Sequence, residues 1–154
     1  MLNVALTSSK QGIIQMLSVL IAVDDHGAIG LDGKLPWKDP KDMAWFQSVT
    51  FGKTLIVGRK TAESLPKLHG RNLIIMSRQC DQDGNNLGSA ICGTQWQGFS
   101  DMDQEFIVIG GAEIYKSAYP YADFYYLRRI RGKHKADTYC PFPLPWNVSR
   151  PEGI

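Results

Sequence analysis

The sequence lacks the features that would mark a membrane-spanning, polyanion-binding or disulfide-rich protein. No hydrophobic run approaches the roughly 20 residues that a membrane-spanning helix needs. The 154 residues include 17 basic and 15 acidic side chains, and a net charge of +2 is too small to indicate a polyanion-binding surface. The three cysteines do not have metal-ligand spacing, and their odd number argues against a disulfide framework. We therefore expect no nucleic acid, membrane or metal ion as a partner, and a reducing cytoplasm as the location.

The composition is that of one globular domain. Hydrophobic residues make up 44% of the chain and charged residues 21%, which is typical of soluble proteins. A single domain of this length can bury a substantial core, whereas two would each be small. Residues 1–15 lack the basic start and apolar stretch of a secretion signal, and strong patterning begins only at Met16. We predict a flexible extension over 1–15, which the sequence also allows to be an alternative upstream start or a cloning remnant.

Short apolar runs alternate with helical segments along the rest of the chain. Apolar runs bounded by glycine, proline and polar residues predict strands over 17–23, 54–57, 72–76, 106–109 and 124–130, with a weak strand near 89–92. Helices are predicted from Pro40 to Gly52, from Gly58 to Leu65 and over 112–119. The Gly- and Asp-rich residues 24–37 are predicted to form a long loop. Buried strands joined by helices imply an α/β fold with a mostly parallel central sheet.

Asp42 is the first candidate functional residue. It precedes Trp45 by three positions and Phe46 by four, so on a helix the acid shares a face with two large aromatic side chains. A carboxylate among aromatic rings loses solvation, and a ligand with two adjacent N–H groups, such as an aminopyrimidine edge, would satisfy it. Taken alone, Asp42 is equally well explained as a solvated acid in a first helical turn.

Two strand ends that contain glycine are candidate binding sites for a phosphate-bearing ligand. At Gly58–Thr61 a strand meets a helix start, where backbone N–H groups and two basic side chains suit a phosphate. At Ile107–Gly111 an apolar strand runs into two glycines, whose bare backbone lets a ligand pass closely. This junction lacks the third glycine of the dinucleotide-binding fingerprint. Taken alone, each segment is more simply a turn.

Together and in this order, the motifs resemble those of the dihydrofolate reductase family. The resemblance covers about residues 16–141 and depends on the joint order and spacing of its segments. These are a strand ending in Ala22, the loop Ile29-Gly30 to Leu35-Pro36-Trp37, the helix Asp42-Met43-Ala44-Trp45-Phe46, then Val57–Thr61, Gly70-Arg71-Asn72, Ile107–Gly111, Tyr115 and Asp137-Thr138. The resemblance implies a dihydrofolate-reductase-like three-layer α/β/α fold, NADPH as the cofactor and reduction of 7,8-dihydrofolate as the activity.

The resemblance also implies roles for individual residues around the substrate. Asp42 would grip the pterin 2-amino group and ring nitrogen and favour protonation near the reacting carbon, while nicotinamide supplies the hydride. Leu35, in the loop that closes over the nicotinamide, and Trp37 would complete the catalytic site. Arg71 would bind the carboxylate of the glutamate tail through its planar guanidinium. The full set of implied substrate contacts is Ala22, Asp42, Phe46, Leu65, Arg71 and Arg128.

The implied cofactor contacts come from several loops. Ser77 and Arg78 would hold the extra 2′-phosphate that distinguishes NADPH from NADH. The Gly110-Gly111 turn would let the phosphates and nicotinamide lie close to the backbone. The full set is Ile29, Gly30, Gly58, Arg59, Lys60, Thr61, Ser77, Arg78, Ile109, Gly110, Gly111, Ala112 and Tyr115.

Two departures from the family pattern fall at the site itself. Arg128 stands where the family usually has a threonine beside the pocket acid. It would either pair with Asp42 and lower the pKa of that acid, or turn towards solvent. Glu113 stands where a basic residue often assists the cofactor phosphates, which an acid would repel.

Two further departures from the family pattern concern the fold and lie outside the site. Residues 93–104 lack the pattern of the helix that flanks the adenine in relatives, and 142–154 form a proline-rich tail where relatives have a terminal hairpin. Without that hairpin, the strand over 124–130 would be less protected, so we expect a monomer that can self-associate through this edge. The departures leave two alternatives to an active reductase. One is a binding or structural module without turnover, and the other is a reductase of the same fold with another pterin-like or pyrimidine substrate, which the match at Arg71 disfavours.

Overall fold

The sheet at the centre of the fold is mostly parallel. The computed structural model describes residues 2–7, 16–76, 90–91 and 104–148. Within these ranges, the strands of the main sheet are Leu2–Thr7 (β1), Met16–Asp24 (β2), Thr54–Gly58 (β4), Asn72–Met76 (β5), Ala90–Ile91 (β6), Glu105–Gly110 (β7) and Phe124–Ile130 (β8). Their order is β1-β8-β2-β7-β4-β5-β6, and every neighbouring pair is parallel except β1 with β8.

Helices cover both faces of this sheet, which confirms the three-layer architecture. Pro40–Thr50 (α1) and Arg59–Ser64 (α2) pack on one face, against a cluster that includes Leu55 and Ile107. Ala112–Ala118 (α3) packs on the other face. Because both faces are covered, five of the six residues of β7 are buried. In the described parts of the chain, no helix has the length and apolar character needed to cross a membrane.

The helix ends follow the sequence closely, with one exception. The Asp39 side chain accepts a hydrogen bond from the Lys41 N–H and caps α1 in front of Pro40. We expected Pro120 to end the third helix. The chain instead continues from α3 into a 3₁₀ turn, Tyr119–Tyr121, because proline needs no N–H partner in a first turn.

The prediction that residues 1–15 form a flexible extension is wrong for residues 2–7. β1 pairs with β8 in antiparallel register, from Leu2 opposite Arg129 to Thr7 opposite Phe124. The outer edge of β8, which we expected to be less protected, is therefore covered by this strand. The sequence signal was weak because an edge strand gains most of its order from its partner. Residues 8–15 lie outside the described ranges.

The predicted domain boundary at residue 141 is too early. Phe142 is buried in the core that contains Tyr115, and its ring stacks on Tyr119 with 5.4 Å between centroids. Leu144 and Trp146 pack against the same core. Residues 142–154 have neither a helical nor a strand period, and their prolines suggested a tail. The apolar side chains of Phe142, Leu144 and Trp146 nevertheless pack in or against the core.

The predicted loop over residues 24–37 contains a short strand, Ala28–Gly30 (β3). It pairs in antiparallel fashion with Thr138–Tyr139 (β9). The start of the loop is held by the fully buried carboxylate of Asp24, which accepts hydrogen bonds from the N–H groups of Ala28 and His134. Strands of three and two residues are too short to show the alternation of apolar and polar residues that predicts a strand, so the sequence does not reveal this pair.

Candidate active site

The parallel strands β4 and β7 are neighbours in the sheet, and the connectivity rule for α/β folds predicts a ligand-binding crevice at their carboxyl ends. The chain leaves β4 into α2, whose Ala62 packs on one face, and leaves β7 into α3, whose Ile114 packs on the opposite face. Helices that depart to opposite faces after adjacent parallel strands create the topological switch point at which α/β proteins bind ligands. The two glycine-containing motifs of the sequence meet at this crevice.

Glycine allows the two strand ends to approach each other. A Cβ on Gly58 would lie 3.0 Å from Cγ1 of Ile114, and a Cβ on Gly111 would lie 2.9 Å from Oγ1 of Thr61. Gly110 has a φ of +133°, which side-chain-bearing residues rarely adopt. Glycine at Gly58 and Gly111 therefore lets Ile114 and Thr61 pack directly against the backbone at these strand ends.

The other expected cofactor residues occupy different environments. Arg59 and Lys60 are exposed at the start of α2, and Nη1 of Arg59 lies 3.8 Å from the Glu63 carboxylate. The buried Tyr115 donates a hydrogen bond to the Leu20 carbonyl oxygen at 2.8 Å, and burial raises the pKa of its phenol. Ile109, Gly110 and Ala112 lie along the β7–α3 junction, Ile29 and Gly30 lie in β3, and Ser77 and Arg78 lie outside the described residues.

Asp42 lies in the first turn of α1 and is 6% exposed. The indole Nε1 of Trp37 donates a hydrogen bond to its Oδ2 at 3.2 Å, and Nε of Arg128 lies 3.3 Å from its Oδ1. Burial raises the pKa of Asp42 above that of a free aspartate, although Trp37 and Arg128 both oppose the rise. Arg128 lowers this pKa as expected, but the loss of solvation is the larger effect and sets the net direction.

Arg128 turns into the protein, so the alternative in which it faces solvent is wrong. The residue is 4% exposed and lies opposite Ala22 of β2. Its Cζ is 5.7 Å from the centroid of the Trp45 ring, and Nη2 is 3.8 Å from Oδ2 of Asp39. Asp39, which caps α1, is thus a second acid near this cation.

The residues expected to form walls around the substrate lie on α1 and directly after α2. Phe46 and Leu65 are half-buried and pack against the core cluster that contains Leu20. Leu35 is 48% exposed in the loop that precedes α1. Phe46 and Leu65 thus share one core cluster, whereas Leu35 lies at the surface.

The loop before α1 is held from the far end of the chain. Asp137 accepts a hydrogen bond from the N–H of Asp32 at 2.9 Å, and this bond lowers the pKa of the Asp137 carboxyl. The ring of His134 meets the edge of Trp37, with 5.3 Å between centroids, and its Nδ1 lies 3.0 Å from Oδ2 of Asp24. Sequence reasoning missed Asp24 and His134, because no local pattern joins residues 110 positions apart.

Arg71 lies at the opposite end of α1 from Asp42. Its Nη1 donates to Oγ1 of the buried Thr50 at 3.3 Å, and its Nε donates to the His69 carbonyl oxygen at 3.0 Å. Thr50 lies eight residue steps along the helix from Asp42, a rise of about 12 Å. An acid and a fixed cation at this separation suit an elongated ligand with a ring at one end and an anion at the other.

A model of the family described as dihydrofolate reductase matches residues 16–150. The dihydrofolate reductase of Haemophilus influenzae is 36% identical over 130 residues, which cover 84% of this chain and 80% of that protein. The Bacillus subtilis enzyme of the same name is 33% identical over 127 residues, covering 82% and 76%. The chain belongs to the dihydrofolate reductase family.

A solved dihydrofolate reductase also shares the fold. The enzyme from Enterococcus faecalis, in complex with NADP(H) and RAB-propyl, matches with a TM-score of 0.72 and 27% identity, covering 84% of this chain and 79% of that chain. This agreement confirms the dihydrofolate-reductase-like fold expected from the sequence. The match to the family model begins at residue 16, so β1 precedes the part that the family model describes.

The remaining departures from the dihydrofolate reductase pattern have different outcomes. Glu113 lies in the first turn of α3, so an acid does stand beside the glycine crevice. Residues 93–103, where relatives carry a further helix, lie outside the described residues. Arg128 is buried beside Asp42 and is the departure with the clearest consequence.

A cleft of about 480 Å³ lies at the opposite, amino-terminal end of the parallel strands. Its polar centre is the Glu105 carboxylate, which accepts hydrogen bonds from the hydroxyls of Ser18 at 2.6 Å and Tyr126 at 2.9 Å. Lys53 lies 3.1 Å from the same carboxylate. Burial, and then hydrogen bonding to Glu105, raise the pKa of the Tyr126 phenol. These contacts tie β2, β7 and β8 together at the base of the sheet.

Proposed function

We propose that the protein reduces 7,8-dihydrofolate to 5,6,7,8-tetrahydrofolate with NADPH, which would serve one-carbon metabolism and nucleotide synthesis. The observation that carries this proposal is Asp42, a buried acid held by Trp37 on the helix whose other end positions Arg71. A carboxylate at one end suits the 2-amino group and ring nitrogen of a pterin, and a guanidinium at the other suits a glutamate tail.

The glycine crevice fits the proposed cofactor. Gly58, Gly110 and Gly111 leave bare backbone where side chains would fill the space, and the basic Arg59 and Lys60 flank the same opening. NADPH would supply the hydride when bound. Along with Thr61, these residues would hold its phosphates, and Ile109 would border the nicotinamide.

The chain's own residues would position the substrate and control its protonation. Trp37 orients the carboxylate of Asp42, and burial keeps a proton on that acid to a higher pH than in solution. Phe46 and Leu65 would form the walls around the ring. Leu35 would exclude water by covering the open side of the site.

We also infer that the enzyme is a cytoplasmic monomer. The scattered cysteines suit a reducing compartment. The pairing of β1 with β8 supports a monomer, since it covers an edge that would otherwise be available to a second copy.

The proposal is tested by mixing the purified chain with NADPH and dihydrofolate and following the absorbance of the reduced nicotinamide. We expect oxidation that requires both substrates and is slower with NADH. If a high enzyme concentration gives no oxidation above background, the enzymatic proposal fails. Ligand binding without turnover would favour the second candidate, a reductase-fold binding module, which the ion pair between Asp42 and Arg128 motivates.

Replacing Gly111 with Ala tests the role of the crevice. The new Cβ would lie 2.9 Å from Oγ1 of Thr61, so we expect the free energy of unfolding to fall by about 1–3 kcal/mol, as is common for overpacking. NADPH affinity should fall as well, because the two strand ends must separate. Urea unfolding and fluorescence titration with NADPH measure the two effects.

The matched control combines Gly111→Ala with Thr61→Ala, which removes the clashing oxygen. In the Thr61→Ala background, adding Gly111→Ala should lower the free energy of unfolding much less than it does in the unaltered protein. If it is no more stable than Gly111→Ala, the contact between these two positions is not the cause.

A further inference from the structure

Arg128 is a buried cation beside the acid on which ring binding depends. Its side chain is 5% exposed, and its Nε lies 3.3 Å from Oδ1 of Asp42. Its Nη2 lies 3.8 Å from Oδ2 of Asp39, and its Cζ is 5.7 Å from the centroid of the Trp45 ring. Two acids and an aromatic ring therefore hold the guanidinium in one place within the pocket.

This arrangement affects the charge that a bound ring can carry. Trp37 occupies Oδ2 of Asp42 and Arg128 faces Oδ1, so a ring that binds this carboxylate lies close to the guanidinium. Two positive charges in a site with little water repel each other strongly, because the local dielectric constant is low. A neutral ring avoids this repulsion, and a carbonyl oxygen on it could accept a hydrogen bond from the guanidinium.

We propose that Arg128 makes the ring pocket selective for charge, favouring a neutral 2-amino-4-oxo ring over a 2,4-diamino ring that binds as a cation. This inference rests on the proposed function and identifies a residue that decides between two ligand classes at the same site. The two rings have nearly the same shape, so the discrimination is electrostatic. A threonine, which the family usually has at this position, would not provide it.

A purely structural role for Arg128 has a different consequence. If the side chain only fills space beneath Trp45, its removal should weaken the binding of both rings alike. If it acts through its charge, lysine should preserve the selectivity, because lysine keeps the positive charge but not the planar fork. The ratio of the two affinities is therefore the informative quantity.

The test measures dissociation constants of 2,4-diaminopteridine and 2-amino-4-oxopteridine on the full chain by calorimetric titration. Arg128→Thr is expected to tighten binding of the diamino ring, relative to the oxo ring, by a factor on the order of 10 to 100. Arg128→Lys should leave the ratio within about threefold of the original. The matched control is Arg131→Thr, which removes one positive charge at an exposed position just after β8, and it should also leave the ratio unchanged.

A ratio that stays the same in Arg128→Thr would overturn the inference while leaving the proposed function intact. If that variant does not fold, Arg128→Gln keeps a polar side chain and part of its length without the charge, and it should show the same change in ratio. In the unaltered protein, affinity for the diamino ring should not rise as falling pH protonates that ring, and a tenfold rise would contradict the inference. If neither ring binds the unaltered protein, the proposed function fails and the inference fails with it.

Discussion

Replacing Asp42 with Asn is expected to lower kcat/KM for dihydrofolate by a factor on the order of 100 to 1,000, which lies within the range for loss of an acid–base group. Asparagine has nearly the same shape but cannot carry a negative charge, so it cannot stabilise a protonated ring. The loss should fall mainly on kcat, because the charge matters most when the ring gains its proton. Steady-state kinetics with NADPH and varied dihydrofolate measure both parameters.

Asp39→Asn is the matched control for this change. It removes the same charge three residues earlier, and asparagine still caps α1. Asp39 is 26% exposed and lies farther from Arg128, so we expect kcat/KM to change by less than about fivefold, as for partly exposed charge pairs. If kcat/KM falls equally in both variants, the loss of Asp42→Asn reflects the net negative charge of this region and not a specific role of Asp42. Full activity in Asp42→Asn would show that the acid lies elsewhere.

The raised pKa of Asp42 also gives a direction for pH dependence. Its carboxyl stays protonated to a higher pH when the chain is folded, so the rate should decline as pH rises through this raised pKa. Asp42→Asn should abolish that decline. The free energy of unfolding should also fall as pH rises, because the folded state binds the proton on Asp42 more tightly than the unfolded state does. This stabilising contribution is fully present below the unfolded pKa of 3.8 and is lost as pH rises through the folded pKa.

Removing residues 1–15 is expected to lower the free energy of unfolding by about 3 kcal/mol and to promote self-association. β1 contributes six cross-strand pairs with β8, and each such pair is worth about 0.2–1 kcal/mol. Its loss also exposes backbone hydrogen-bonding groups along the edge of β8, which a second chain can bind. Urea unfolding measures the first effect, and light scattering at several protein concentrations measures the second.

Adding the missing segment back as a peptide provides the control. A synthetic peptide of residues 1–15 should restore stability and monomeric behaviour to the shortened chain, whereas a scrambled peptide of the same composition should not. If the shortened chain is as stable and monomeric as the full one, β1 does not contribute to the edge in solution. Because Asn3 lies opposite Arg128 in the register, the shortened chain should also bind the pteridine probes more weakly.

The expectations that came from local patterns match the structure well. The strand expected over residues 124–130 has those same bounds, and the helix expected from Pro40 ends within two residues of Gly52. The position of Asp42 on the aromatic face of that helix also followed from spacing alone. These features depend on neighbours within one or two turns, so a single segment contains all the information needed.

Other expectations failed because they depended on distant segments. Nothing within Leu2–Thr7 shows that its partner is β8, and the proline-rich stretch after residue 141 does not show that Phe142 enters the core. The hydrogen bond from the backbone N–H of His134 to Asp24 joins residues 110 positions apart. Short segments of this kind acquire their structure from the surface on which they pack.

For Asp42, the sequence by itself determined the acid, its place in a first helical turn and its aromatic neighbours. Only the tertiary structure decided its state. β8 returns beside β2 and brings Arg128 to within 3.3 Å of the carboxylate, while Trp37 binds the other oxygen. The surrounding core then removes water and raises the pKa despite both partners. Local periodicity determines which face of an element is buried, but the charges that meet in the interior depend on which strands become neighbours.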